Sequence, residues 1–374
     1  MRPSWVEIDL DAIEANARAI RRAAAPALLC AVVKADGYGH GDVPVAEAAI
    51  AGGADWLAVA LVEEGARLRD AGINVPILLL SEPVDGSAGA VIDLRMRPTV
   101  YRPGFVEAMA AAAERSGRTP YPVHLKVDTG MHRVGADPND ALALAERVAR
   151  DDRLDLEGVW THFPVSEADR AYTLNQVAAL EAIRTTLVAE GIQPRIVHAA
   201  NTAGALDYAE ARLDLVRVGL GVYGLRPAPH CGPGIELQPA MKVVSHVSFV
   251  RALSAGARPS YGRVRPLDAD SSVATVPIGY ADGVARRLAG VGGEVLIRGR
   301  RFPFAGAVTM DQVVVDVGAQ PVDVGDEVVL LGAQGDDAIT ADEWAHRLET
   351  INYEIVCDFG PRLPRRYVRG GGGA

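Results

Sequence analysis

Cysteine is scarce in this chain of 374 residues: Cys30, Cys231 and Cys357 are odd in number, widely spaced and never form a C-x-x-C pair. That usage argues against a disulfide framework and a thiolate metal site, implies no metal, and suits a reducing cytoplasm. Basic tracts are missing as well. With 38 Lys+Arg against 48 Asp+Glu the net charge is -10, and no lysine or arginine run could neutralise successive phosphates, so no nucleic acid partner is expected. No apolar run approaches a membrane span, and the first twenty residues carry four acidic side chains where a signal peptide has an apolar core. A soluble, unprocessed chain with no membrane partner is expected. Aromatic residues make up only 5%, yet 49% of the chain is apolar, enough for two domains that each bury a core.

From Leu28 to Val218, short β-branched runs alternate with alanine-rich stretches of helical period, the rhythm of parallel βα units. Eight runs fit: LLCAVV (28–33), WLAVA (56–60), ILLL (77–80), PTV (98–100), PVHLKV (122–127), LEGVW (156–160), RIVHA (195–199) and LVRV (215–218). PTV is the weakest. Eight strands with intervening helices predict a closed barrel. The alternative, a doubly wound open sheet, usually carries a G-x-G-x-x-G turn after its first strand, which this chain lacks. After Gly224 the character changes. PAPHCGPG reads as a linker, followed by β-type runs MKVVSHVSFV, SSVATVPIG, GEVLIRG, QVVVDV and DEVVLLG between Gly-, Pro- and Asp-rich turns. The fold class is therefore α/β, an N-terminal (β/α)8 TIM-type barrel over 1–228 plus a C-terminal mainly β domain over 229–374. The opening WVEIDL is a candidate to pair with the second domain, DAIEANARAIRRAA reads as a helix, and the terminal GGGGA carries no packing information.

In such barrels chemistry gathers at the carboxyl ends of the strands, where the loops converge on one mouth. Lys34 follows the first strand, in AVVKADGYGHG; Lys126 and Asp128 follow the fifth, His162 the sixth, and Asn201 with Thr202 the seventh. Arg217 lies inside the eighth, followed by Gly219 and Gly221. Each has a plain structural reading: Lys34 and Lys126 as stems that snorkel to water, His162 as a satisfied core histidine, Arg217 as the partner of a buried carboxylate. Their coincidence at one rim favours a site. The loops ANTAG and VGLGVYG add hydroxyl and backbone donors where barrels often hold a phosphate. A phosphate-bearing ligand opposite a lysine that can form a Schiff base points to pyridoxal 5'-phosphate.

The motifs AVVKADGYGHG, HLKVDTGMHRVG, THF, HAANTAG, VRVGLGVYG, PSYG, PIGYADG, TMDQ and TINYE, in this order and spacing, resemble the pyridoxal phosphate-dependent alanine racemases over nearly the whole chain. The resemblance implies a cytoplasmic isomerase that interconverts L-alanine and D-alanine for cell-wall peptidoglycan, as a homodimer with composite active sites. By it, Lys34 anchors the cofactor and is one base, while Tyr261 of PSYG is the opposite base, lent to the partner subunit. His162 lies beside the cofactor ring. Arg217 faces the pyridine nitrogen, which it can only donate to, so that nitrogen stays unprotonated and transamination is restrained. Tyr38, Asn201, Thr202, Gly219, Leu220 and Tyr353 complete the cofactor site.

The same resemblance gives Arg133, with Met310 and Asp311, to the substrate carboxylate. Lys126 matches a lysine often carried as a carbamate that orients the arginine, and Tyr280 and Arg286 match the substrate entrance. The chain departs from the family at Thr202, where serine is common, and at Ala307, where arginine is common. In THFPVSEAD the acidic gate falls to Glu167 or Asp169. The rival readings are a serine or broader-specificity racemase of the same fold, a non-catalytic pyridoxal phosphate-binding protein, which lacks a β domain, and a decarboxylase, which usually has a carboxylate at the position of Arg217.

Overall fold

A computed structural model describes residues 2–84 and 86–370. All of GGGGA except Gly370 lies outside the described residues. The chain divides into two compact units, one of Ala12–Gly37 and Asp42–Gln238, the other of Met1–Asp11, Tyr38–Gly41 and Pro239–Ala374.

The strand β1 (Trp5–Asp9) precedes a helix, Leu10–Ala24, and the parallel strands of the first unit follow. They are β2 (Leu28–Val32), β3 (Trp56–Val59), β4 (Ile77–Leu79), β5 (Thr99–Val100), β6 (Tyr121–Lys126), β7 (Leu154–Trp160), β8 (Ile196–His198) and β9 (Leu215–Val218). Pairing runs β4-β3-β2-β9 and β5-β6-β7-β8. Backbone bonds close the ring: Leu79 N to Arg97 O at 2.8 Å joins β4 to the entry of β5, and Arg217 N to Ala200 O at 2.9 Å joins β9 to the end of β8. All eight expected strands are present, and PTV is the shortest.

These strands are apolar almost without alternation because helices cover one face and barrel side chains the other. Leu29, Leu57, Ile77 and Val100 are fully buried; each such side chain contributes roughly 1.5–3 kcal/mol of apolar transfer. Local signals set the helix starts. Asp137 accepts from Asn139 N at 2.9 Å ahead of Pro138–Ala149, and Asp169 accepts from Tyr172 N at 2.9 Å ahead of Arg170–Ala189, caps worth about 1 kcal/mol each. Asp169, one of the two gate candidates, is thus engaged as a helix cap. PAPHCGPG packs within the first unit, where the Arg226 guanidinium donates to the Cys231, Gly232 and Ile235 carbonyls and Gly232 N to Asp207.

The second unit is mainly β. Its strands are β10 (Met241–His246), β11 (Phe249–Leu253), β12 (Ser271–Val276), β13 (Glu294–Ile297), β14 (Arg300–Pro303), β15 (Val313–Gly318), β16 (Glu327–Gln334), β17 (Asp337–Ile339) and β18 (Arg365–Val368). One sheet runs β14-β13-β16-β10-β1-β18 with β17 on β16, and a second runs β11-β12-β15. β1 lies antiparallel to β10 and parallel to β18. Here burial alternates along β1 and β15, as expected where one face of a sheet meets the core and the other meets water. The single run MKVVSHVSFV is two strands in two sheets. Val247 N bonds Asp326 O beside β16, whereas Ser248 N bonds Thr275 O in β12, so the chain changes sheet between adjacent residues.

Candidate active site

In the first unit the backbone turns sharply just after β2. Ala35, Asp36 and Gly37 hold φ of 54°, 52° and 58°, a left-handed turn directly behind Lys34. For a residue with a Cβ this conformation costs about 1–2 kcal/mol, and fixed contacts hold it. Ala35 N donates to Glu64 Oε1 at 2.7 Å, and Glu64 Oε2 accepts from Ala60 N and Leu61 N at 2.8 and 3.1 Å. Gly37 N bonds Val33 O, and Asp36 Oδ1 accepts from Asp42 N at 3.2 Å. The buried Glu64 carboxylate therefore ties the ends of β2 and β3 together and aims the chain at Lys34.

Five of the anticipated groups converge at the carboxyl ends of the barrel strands. Burial, then Arg217, Lys126, Arg133 and Lys34 in that order, hold His162 well below the usual imidazole range. Lys126 is 2% exposed, with Nζ 4.6 Å from the Trp160 ring centre. Burial, and then the Arg217 and Arg133 charges, push its amine down to about 7. Arg217 is buried in β9 with its guanidinium 4.4 Å from the Trp160 ring centre. It donates to Thr161 O (2.8 Å), Ala199 O (3.0 Å), His198 Nδ1 (2.9 Å) and His162 Nδ1 (3.2 Å). None of these partners is a carboxylate. Burial lowers Arg217 to about 9, still charged at neutral pH. Asp128, the acid that acts on Lys126, spends Oδ1 on Gly130 N and His132 N at 3.0 Å each. The rim is thus electropositive and suited to an anion.

Asn201 caps the short helix Thr202–Asp207, accepting from Gly204 N at 3.0 Å and from the Ser166 hydroxyl at 2.8 Å. Thr202 is buried, and its Oγ1 lies 3.5 Å from Gly221 N, in the turn that follows Gly219 and Leu220. A Cβ at Gly221 would stand 3.1 Å from the Thr202 and Val218 side chains, so glycine sets how closely this turn approaches the helix start.

The depressed Lys126 amine has a measurable consequence. Between pH 7 and the ordinary lysine value the unfolded chain binds the proton that the folded chain has released, so this group's contribution to stability rises with pH across that window. Denaturant unfolding at pH 7 and pH 9.5 in CO2-free buffer should show this increment in the wild type and lose it in Lys126→Met.

In the second unit Tyr38 and Tyr353 face each other with ring centres 6.2 Å apart. Burial, with Tyr353 and Cys357 beside it, pushes the Tyr38 phenol up, so it stays a protonated hydroxyl. Arg365 fixes the segment by donating to Gly39 O at 2.9 and 3.1 Å, and a Cβ at Gly39, where φ is +77°, would stand 2.4 Å from Val356 O. Tyr261 is 73% exposed at the start of a short turn braced by the Ser260 hydroxyl, which donates to Ala307 O at 2.6 Å. Tyr280 N bonds Thr309 O and Ala281 N bonds Met310 O, which couples the PIGYADG and TMDQ loops; Asp311 pairs with Arg362 at 2.6 Å. Tyr280, Met310 and Arg286 are exposed. Beneath them the fully buried Asp282 accepts from Gly279 N and pairs with Arg2.

Sequence reasoning missed Glu64, Trp160, His198 and Asp282. Trp160 ends a strand directly before THF, and His198 is the first residue of HAANTAG, so the signal was there in a motif already singled out. Glu64 reads only as an acid in a first helical turn.

Residues 8–227 match the family model for the alanine racemase N-terminal domain and residues 240–367 that for the C-terminal domain. The alanine racemase of Symbiobacterium thermophilum is 47% identical over 98% of this chain and 97% of its own length, and that of Desulfovibrio desulfuricans is 44% identical over 98% of each. The crystal structure of alanine racemase from D-cycloserine-producing Streptomyces lavendulae superposes with a TM-score of 0.93 at 37% identity, covering 100% of this chain and 98% of that one. The crystal structure of alanine racemase from E. faecalis gives a TM-score of 0.92 at 37% identity over 98% of each chain. With a barrel and a β domain each matched along its length, the chain belongs to the alanine racemase family.

Proposed function

We propose that this protein interconverts L-alanine and D-alanine with bound pyridoxal 5'-phosphate, in the cytoplasm and as a homodimer, supplying D-alanine for peptidoglycan. The observation that carries this reading is the rim at the carboxyl ends of the strands, where Lys34, Lys126 and Arg133 gather about His162 and the buried Arg217 guanidinium lies 3.2 Å from His162 Nδ1. Its donor set fits the cofactor. Lys34 offers an amine for covalent attachment, and the buried Arg217 offers only N–H donors to a pyridine nitrogen. By the family resemblance the phosphate dianion falls to the hydroxyls of Tyr38, Thr202 and Tyr353 and the backbone at Gly219 and Leu220, neutral donors all, and Asn201 holds Thr202 in place as the helix cap. When bound, the cofactor withdraws electrons from the substrate Cα and so acidifies its C–H bond.

The chain's own residues then move the proton. Lys34 takes or returns it on the D-alanine face of Cα, and Tyr261 of the partner subunit does so on the other. A phenol titrates near about 10, so it needs help to act as a base at neutral pH. Because Arg217 donates to His162 Nδ1, the neutral ring carries its proton on Nε2 and can donate it to the Tyr261 oxygen, favouring the phenolate. Arg133, with Met310 and Asp311 of the partner, orients the substrate carboxylate, and a carbamate on Lys126 would align Arg133. Tyr280 and Arg286 line the entrance. Such pairing also explains why Tyr261, Val264, Met310 and Ile351 are left more than half exposed.

The test is solvent exchange. L-alanine incubated with the purified protein in D2O should yield both enantiomers carrying Cα deuterium, and borohydride should fix a cofactor adduct on Lys34. Unlabelled alanine, or an adduct elsewhere, would refute the reading.

A further inference from the structure

Four buried side chains of the first unit connect end to end. Arg217 Nη1 lies 2.9 Å from His198 Nδ1, His198 Nε2 lies 3.0 Å from His124 Nδ1, and His124 Nε2 lies 3.2 Å from Glu157 Oε2. Both imidazoles are fully buried, Arg217 is 3% exposed and Glu157 8%. The chemistry of the two ends fixes the direction of every bond between them. A guanidinium has only donors, so His198 Nδ1 must accept and a neutral His198 carries its proton on Nε2. That N–H can point only at the lone pair of His124 Nδ1, so His124 carries its proton on Nε2 and gives it to the carboxylate. A second proton on either ring would set N–H against N–H. Burial, ahead of the neighbouring charges, holds both imidazoles below their usual range, in keeping with two neutral rings. Only the guanidinium and the carboxylate carry charge.

The surroundings hold this arrangement. Trp160 stacks on His198 with ring centres 5.4 Å apart at 10°, and Trp56 meets His124 edge-on at 5.5 Å. Gly158 makes room for His124: a Cβ there would stand 2.3 Å from Nδ1, and the β6–β7 register shifts at that point. Arg97 and Arg195 clamp Glu157 at 2.7 and 3.3 Å. Burial raises the Glu157 carboxyl, but the His124 hydrogen bond and the Arg97 charge outweigh it and hold the group at about 2.

We propose that Glu157 is a positioning residue for Arg217, acting through His124 and His198 along one directed hydrogen-bond relay that runs back from the barrel mouth into its interior. The carboxylate sets the His124 tautomer, His124 sets that of His198, and the His198 lone pair then holds the Arg217 guanidinium in its orientation. The consequence for the cofactor rests on the function proposed above; the relay itself does not. Glu157 Oε2 accepts from Arg97 as well as from His124, so a glutamine at 157 keeps its amide oxygen there and loses the charge. A neutral acceptor polarises the His124 N–H less, and the His198 N–H and the lone pair that meets Arg217 weaken in turn.

The test is side-chain 15N NMR of histidine-labelled full-length protein, with and without added pyridoxal phosphate. In the wild type His124 and His198 should both be neutral and Nε2-protonated. Glu157→Gln should shift the His198 nitrogen resonances, although residue 157 does not touch that ring. In the loaded enzyme the variant should also move the visible absorption maximum and lower kcat about 10-fold, the usual scale for an outer-shell partner. A charged or Nδ1-protonated ring at either histidine in the wild type, or unmoved His198 resonances in Glu157→Gln, would overturn the relay. If the variant fails to fold, the wild-type tautomers decide alone. A protein that shows the relay but takes up no cofactor would sink the proposed function and leave the relay standing, whereas bound cofactor with a silent His198 does the reverse.

Discussion

Lys34→Ala should lower racemisation by about 10^4-fold or more, with no borohydride-stable adduct anywhere in the chain. A positioned general base contributes about 10^2–10^4 on its own, and the proposed role makes Lys34 both that base and the covalent anchor. Neither duty has an evident substitute. Lys126 is the other amine of the rim, but it is 2% exposed and packed 4.6 Å from the Trp160 ring centre. The substitution should spare the fold. Lys34 is only partly buried, and Glu64 and Asp36 hold the left-handed turn behind it. A melting temperature close to wild type, alongside the lost turnover, separates loss of chemistry from loss of structure. Retained activity in Lys34→Ala would end the assignment.

How much was legible in the sequence depended on whether a signal was local. The barrel strands announced themselves because a strand buried on both faces is an unbroken apolar run, and even Thr99–Val100 showed as PTV. The β domain was harder to read. Its edge strands β14 and β18 are RRFP and RRYV, arginine-rich as exposed edges tend to be, and so unlike the apolar runs that mark a central strand. The sheet change at Val247 and Ser248 left no mark, because both residues suit either sheet.

At the site, a lysine or arginine inside or ending an apolar run was conspicuous, which is why Lys34, Lys126 and Arg217 could be picked out. Glu157, His124 and His198 were not. Each lies on a different strand, and what joins them is register across the barrel: β6 beside β7, and β7 beside β8. A lone glutamate inside LEGVW looks like an ordinary polar interruption until His124 is seen to fill the space left by Gly158. The role proposed for Tyr261 rests on the resemblance alone, since nothing local in PSYG marks a base.

Tyr261→Phe should be the second severe variant, and its failure should differ in kind. The ring packs as before, but the acid–base oxygen is gone, so racemisation should fall about 10^2–10^4-fold. Exchange of the D-alanine Cα hydrogen with solvent, which needs only Lys34, should continue. Loss of exchange together with racemisation would mean that Tyr261 does more than move a proton. The placement of the tyrosine gives a sharper test. If each site takes Lys34 from one subunit and Tyr261 from the other, two inactive variants should repair each other. In dimers re-formed from equal amounts of Lys34→Ala and Tyr261→Phe, half should be mixed, and each mixed dimer carries one intact site and one site damaged twice; recovery should approach about a quarter of wild-type activity. Were both residues drawn from the same chain, every site in the mixture would carry one lesion and no activity would return. Recovery near a quarter therefore distinguishes a site shared between subunits from one built within a single chain.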